Sequence, residues 1–154
     1  MSLLKLVHGR FLPALETPLR EISLEDWRAN PQAHAEATAL VIANDAPLAD
    51  IGADLSGFDV IILAFPAFGD GRAYSQARLL RERFGYTGEI RARGDVLRDQ
   101  ILFMTRCGFD AFEFEGGGSA AAEAALKEFS LAYQPAADHI EPVWRKRGQK
   151  AAAA

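Results

Sequence analysis

The sequence predicts an α/β domain of about four mainly parallel strands with crossover helices, preceded by a small irregular N-terminal cap. Three observations predict it. Residues 58–65 (FDVIILAF) are nearly continuous in apolar side chains, the pattern of a central parallel strand covered by helices on both faces. Strand-like runs near residues 39, 58, 89 and 109 alternate with stretches of helical periodicity, so each strand reaches the next through a crossover. The polar loops at 66–71, 93–95 and 116–119 each follow a strand and precede a helix, which gathers them on one edge of a parallel sheet. A half-barrel of βα units gives the same pattern, and periodicity leaves that choice open.

Taken in order, residues 3–15 (LLKLVHGRFLPAL) hold two short apolar pieces around His8-Gly9-Arg10, a hairpin or an irregular strand. Residues 22–28 read as a short helix with Ser23 as N-cap and Asn30-Pro31 as its stop, and Trp27 within it is expected to fill core. Residues 39–43 (ALVIA) form the first convincing strand. Leu48, Ile51 and Leu55 then recur at helical spacing before Ser56-Gly57.

The helix over 72–84 has a narrow core stripe of Ala73, Ala77, Leu80 and Phe84 and stops at Gly85, which leaves Leu79 outside the stripe. Residues 89–93 (EIRAR) alternate, with Ile90 and Ala92 on one face and three charges on the other. That marks an edge strand or a wall facing a polar cavity, and edges are the commoner case. A helix over 95–107 has Asp95 as N-cap and an apolar arc of Val96, Leu97, Ile101, Phe103 and Met104. Gln100 falls inside that arc and needs a hydrogen-bond partner if buried. A strand at 109–115, a glycine-rich loop and a helix over 120–133 complete the core. The 154 residues suit one domain, with 1–38 as the cap, 39–134 as the α/β core and 135–154 as a tail with a basic end.

Composition narrows the function. No apolar run approaches the roughly 18 to 20 residues of a membrane span, and Lys5, His8 and Arg10 interrupt any signal-peptide layout, so a cytoplasmic protein is expected. The net charge of -4 argues against a nucleic-acid binder. Cys107 is the single cysteine, and the scattered His8, His34 and His139 have no ligand spacing, so neither a metal nor a cofactor is called for. Charge is uneven, however: residues 72–106 hold eight arginines against four acids and carry +4, leaving -8 for the rest. Lysine is absent between Lys5 and Lys127, so this charge is all guanidinium, the group that holds carboxylate, sulfate or phosphate bidentately. A compositional preference for Arg over Lys gives the same count.

The candidate anion- or ligand-binding residues are Asp70, Gly71, Arg72, Ser75, Asp95, Arg98 and Asp99, at the loop edge and in the first turns of two helices, where free backbone N–H groups favour an anion. Each has a plainer reading: Asp70 and Asp95 as helix caps, and Asp95 with Arg98 as a local i,i+3 pair. The Gly116-Gly117-Gly118-Ser119 loop has neither a dinucleotide nor a P-loop spacing. Cys107 lies near a helix C-terminus, where the dipole disfavours a thiolate.

The segments DGRAYSQARLLR at 70–81, GDVLRDQ at 94–100 and RCGFDAF at 106–112 resemble a bacterial family of unknown function, DUF934, over about residues 39–134. Members tend to be encoded beside the haemoprotein sulfite reductase and are loosely labelled oxidoreductases. The resemblance implies a role in assimilatory sulfur metabolism and assigns no catalytic residue. Two functions are therefore expected. One is an accessory protein that docks on sulfite reductase or another enzyme of sulfate assimilation. The other is a small enzyme or carrier that binds a sulfate- or phosphate-bearing metabolite at the carboxyl edge of the sheet.

Overall fold

Residues 58–65 do become the centre of a sheet. In the computed structural model, which describes residues 2–14, 18–48, 51, 55–114, 118–129, 131–138 and 140–146, β5 (Val60–Phe65) lies between β4 (Ala39–Ile42) and β6 (Glu89–Gly94), parallel to both. Next to β6 comes β7 (Ala111–Phe114), again parallel. These are the four strands the sequence marks.

Three more strands correct the expected cap. The hairpin β1 (Ser2–Val7) and β2 (Arg10–Ala14) turns at His8-Gly9, both at positive φ, and adds two antiparallel strands beyond β7. At the other edge β3 (Glu21–Ser23) pairs in parallel with β4. Among the described residues the sheet is therefore seven-stranded and mixed, in the order β2-β1-β7-β6-β5-β4-β3. The N-terminal segment supplies both edges because its buried Leu4, Phe11 and Ile22 join the same apolar layer as the central strands. Pro13 sits in the outermost strand, where its missing N–H costs no ladder bond.

Four helices, α1 (Leu24–Ala29), α2 (Arg72–Glu82), α3 (Ile101–Cys107) and α4 (Gly118–Leu126), contribute to that one layer, through Leu24, Ala73, Ala77, Leu80, Ile101, Met104, Ala122 and Ala125. They meet the alternate strand residues Leu40, Ile61, Leu63, Ile90 and Phe112. The expectation of helices on both faces is thus corrected. On the other face Ala39, Val60 and Ile62 are buried against Val41 and Leu19 instead.

Chain length explains this second face. From Ala14 in β2 to Glu21 in β3, seven residues reach at most about 25 Å, yet these strands are the two edges of the sheet, six steps or about 29 Å apart if it were flat. The sheet must curl, and Leu19, from this edge-to-edge connection, packs on the inside of the curl. It resembles part of a barrel left open between β2 and β3.

Helix boundaries follow their local chemistry. Ser23 caps α1 by accepting the Asp26 N–H at 3.0 Å, as the sequence suggests, and Trp27 packs edge-on against Phe58. In α2 the stripe Ala73, Ala77 and Leu80 is buried as expected. The third helix differs: residues 95–97 stay non-helical, a 3-10 turn at Arg98–Gln100 comes first, and α3 starts only at Ile101. The helical phase consequently buries Ile101 and Met104 but leaves Phe103 exposed, and Leu97 is exposed ahead of it. The last helix ends at Leu126, seven residues before the expected Tyr133, where the Lys127 and Glu128 N–H groups turn back to the Ala124 and Ala125 carbonyls.

Candidate functional site

The carboxyl edge of the strands does bring two of the three polar loops together. Gly94 ends β6 at φ +115, which lets the Asp95 N–H donate to the Phe65 carbonyl at 2.8 Å. The Asp95 carboxylate then accepts the Phe68 N–H at 2.9 Å, and the Gln100 amide donates to the Phe68 carbonyl at 3.2 Å. Gln100 is buried, and its carbonyl oxygen accepts the Leu97 N–H, so the partner its position demands is supplied from both sides. Asp95 is thus a loop clamp rather than the helix cap expected of it. The Gly116-Gly117-Gly118-Ser119 loop lies largely outside the described residues.

The other candidates are drawn apart. Arg72 forks onto Asp70, Nε to Oδ1 at 2.9 Å and Nη2 to Oδ2 at 2.6 Å, while the Arg72 N–H caps the start of α2 on the same carboxylate. Asn44 and Asp45, in the loop after β4, act on Asp70 and Arg72 respectively, and no hydrogen bond or ion pair joins this pair to the Asp95 loop among the described residues. Arg98 leaves the edge altogether and pairs with Glu128 beyond α4 at 3.2 Å. Gly71, Ser75 and Asp99 are exposed.

Arg72 holds the Asp70 carboxyl well below its usual range, at about 2, and Arg93 lowers Glu21. A depressed folded-state pKa contributes stability that is complete above the unfolded value and is lost as pH falls through the folded one. The thermal unfolding midpoint is therefore expected to decline as pH falls from about 4.5 toward about 2, with Asp110, whose pKa burial raises, acting in the opposite direction. Asp70→Asn should make the decline shallower; a decline already between pH 7 and 6 would point to other groups.

The arginine-rich middle is spent internally. Arg72, Arg78, Arg81, Arg91, Arg93, Arg98 and Arg106 each hold a carboxylate, and Arg83 stacks on Phe84. Six of the carboxylates lie outside residues 72–106: Asp70, Asp110, Glu113, Glu21, Glu128 and Asp138. The +4 of the middle is answered by the -8 of the rest.

Two clusters show how. β6 is an interior strand, not an edge, and its charges form a wall on the inside of the curl. Lys5 meets Glu89 at 2.5 Å, Glu89 meets Arg91 at 2.6 Å, and Arg93 bridges Glu113 at 2.8 Å and Glu21 at 2.7 Å. The Arg93–Glu21 pair passes over β5 and β4, which the curl makes possible. Arg91 and Glu113 are buried, and their charges are tolerated because each faces an opposite one. In the second cluster, on the helix side, Arg81 reaches from α2 to the carbonyls of Tyr86 (2.7 Å), Gly88 (2.8 Å) and Gly108 (3.0 Å) and to the Asp110 carboxylate. Gly108 adopts φ +105, and a Cβ there would come within 2.5 Å of the Arg81 side chain.

The segments at 70–81, 94–100 and 106–112 are therefore one structural set: Asp70 with Arg72, Asp95 and Gln100 on Phe68, Arg81 on Gly108 and Asp110. A family model described as "Bacterial protein of unknown function (DUF934)" matches residues 39–144. The chain belongs to the DUF934 family. None of the curated proteins and none of the solved structures matches it. The DUF934 match begins at Ala39, the first residue of β4, and so leaves out the three strands that complete the sheet. It runs to Trp144, ten residues past the expected end of the core.

That extension covers a surface the sequence reading missed. Residues 131–138 fold back on α3: the Ala137 N–H donates to the Arg106 carbonyl at 3.0 Å, and Arg106 pairs with Asp138 at 3.2 Å. Between this return segment, α3 and α4 lies a groove of about 510 Å³. Its floor includes Leu6, Leu102 and Leu126, and its walls carry Phe103, Phe129, Leu131, Tyr133 and Ile140, from 47% exposed at Ile140 to 74% at Tyr133. The Leu6 N–H bonds the Asp110 carbonyl just ahead of β7, so the groove sits at the amino ends of the parallel strands, opposite the candidate loops. The available signal was the alternation Phe129, Leu131, Tyr133, which fits no helical stripe.

Among the described residues no three His, Cys, Asp or Glu side chains group as metal ligands, and no helix is long and apolar enough to cross a membrane. Burial pushes the Cys107 thiol up, away from a reactive thiolate.

Proposed function

We propose that this DUF934 protein is an accessory protein of assimilatory sulfite and sulfate reduction that acts in the cytoplasm by docking on a pathway enzyme, haemoprotein sulfite reductase foremost. The sulfur context is what the family resemblance implies. Docking is supported by the groove: its five large wall side chains are 47% to 74% exposed and lie together on one surface, the kind of patch that marks an interaction site. Binding an anion at the strand edge has less support, because Arg72 and Arg98 are each occupied by a carboxylate already.

The test is purification of the tagged chain from its native host grown with sulfate as the sulfur source. A pathway enzyme is expected to accompany the wild type and to be lost with Phe129→Ser/Leu131→Ser, whose exposed positions should leave the unfolding midpoint within about 2 °C. A deletion strain that fails to grow on sulfate, together with a wild-type chain that brings down no pathway enzyme, would overturn the proposal.

A further inference from the structure

Resting on the docking reading, we infer that the groove takes an apolar protein segment flanked by carboxylates. The ground is charge complementarity. Although the chain carries -4, three cations that hold no carboxylate among the described residues flank the groove. Lys127 follows Leu126, which lines it. The Val143 N–H donates to the carbonyl of Ala132, another lining residue, which places the helical turn at 143–146, with Arg145 and Lys146, against the same rim. Lys127 and Lys146 are exposed and hold no carboxylate among the described residues, and Arg145 lies over the Trp144 ring.

Asp138 is held by Arg106 and Glu128 by Arg98. The surface therefore presents an apolar trough with unpaired cations on its rim. A partner that buries its apolar side chains there meets those cations with its own charges, and carboxylates are the complement. The concave shape favours a protein segment over a flat lipid surface, since anchors at i, i+3, i+4 and i+7 of a short helix enter a trough.

The experiment uses the full chain and a synthetic 16-residue helical peptide with leucines at those spacings and flanking glutamates, compared with the same peptide flanked by lysines. By fluorescence anisotropy the glutamate peptide is expected to bind about tenfold or more tighter than the lysine peptide and to weaken as salt screens the flanks. Phe129→Ser/Leu131→Ser should lose both peptides. Lys127→Glu/Lys146→Glu should reverse the preference with no change in unfolding midpoint. Equal binding of the two peptides, or no binding, overturns the inference. So does binding of phosphatidylglycerol vesicles in place of peptide, or a dimer in sedimentation equilibrium that Phe129→Ser dissociates. If charge reversal leaves co-purification from the native host intact while Phe129→Ser/Leu131→Ser abolishes it, the inference fails and the docking reading stands.

Discussion

Arg81→Met is expected to destabilise the fold by about 3–4 kcal/mol, because the guanidinium serves four acceptors at once and is mostly withdrawn from water. Methionine keeps the volume and removes every donor. The Tyr86, Gly88 and Gly108 carbonyls then lose their partner, and Asp110, whose pKa burial already raises, is left as a half-buried charge without its cation. Thermal unfolding should show a fall on the order of 10 °C. Arg81→Lys should recover less than half of it, since an ammonium cannot span acceptors on two separate loops. A loss below about 1 kcal/mol in urea unfolding would mean that water satisfies these groups and that the α2 tether is dispensable.

Gly94→Ala is expected to cost about 3 kcal/mol or more. A Cβ at this position would stand 2.2 Å from the Phe65 carbonyl oxygen and 3.0 Å from its carbon, in a backbone held at φ +115. Neither the carbonyl nor β5, which carries it, can retreat without breaking the parallel pairing of Phe65 with Gly94. The Asp95 N–H bond to Phe65 would go with it, and so would the grip of Asp95 on the Phe68 N–H. Faster amide exchange at Phe68 and Asp95 should accompany the lost stability. Gly69→Ala in the neighbouring loop is the control: nothing lies within 4 Å of its Cβ position, and a change within about 0.5 kcal/mol is expected. Similar costs for the two substitutions would show that the close approach at Gly94 is relieved by local adjustment.

Both residues belong to the segments by which the family is recognised, and both act on the fold. Arg81 holds the start of β7 to α2, and Gly94 lets two loops close on each other. The same holds for Asp70, whose carboxylate is consumed by Arg72 and the first N–H of α2. A recognisable motif thus marks here the places where backbone and long side chains must meet closely.

The central strand at 58–65, the stripe of α2, the Ser23 cap and the hairpin around His8-Gly9 were legible because each depends on neighbours within a few residues, where periodicity and capping chemistry act. The strand at 89–93 was legible as a strand but not in its place: alternation shows which side chains share a face, not what stands beside it. Its charges looked solvated because their partners lie far along the chain, 20 residues away for Arg93 with Glu113 and 72 for Arg93 with Glu21. The phase of α3 slipped because its start moved from Asp95 to the turn at Arg98, which turned Phe103 outward.

By itself the sequence determined the α/β class, the order along the chain of the four parallel strands from β4 to β7 and the family, since these are written in local pattern. Tertiary structure alone decided that the N-terminal segment closes both edges of a curled sheet and that seven of the eight arginines of the middle are matched by carboxylates. It also decided that the exposed apolar surface lies at the end opposite the motif loops. The physical reason is the same in each case: whether a charge is free, an edge is paired or an apolar side chain is covered depends on distances between residues far apart in sequence, and only the folded chain sets those distances.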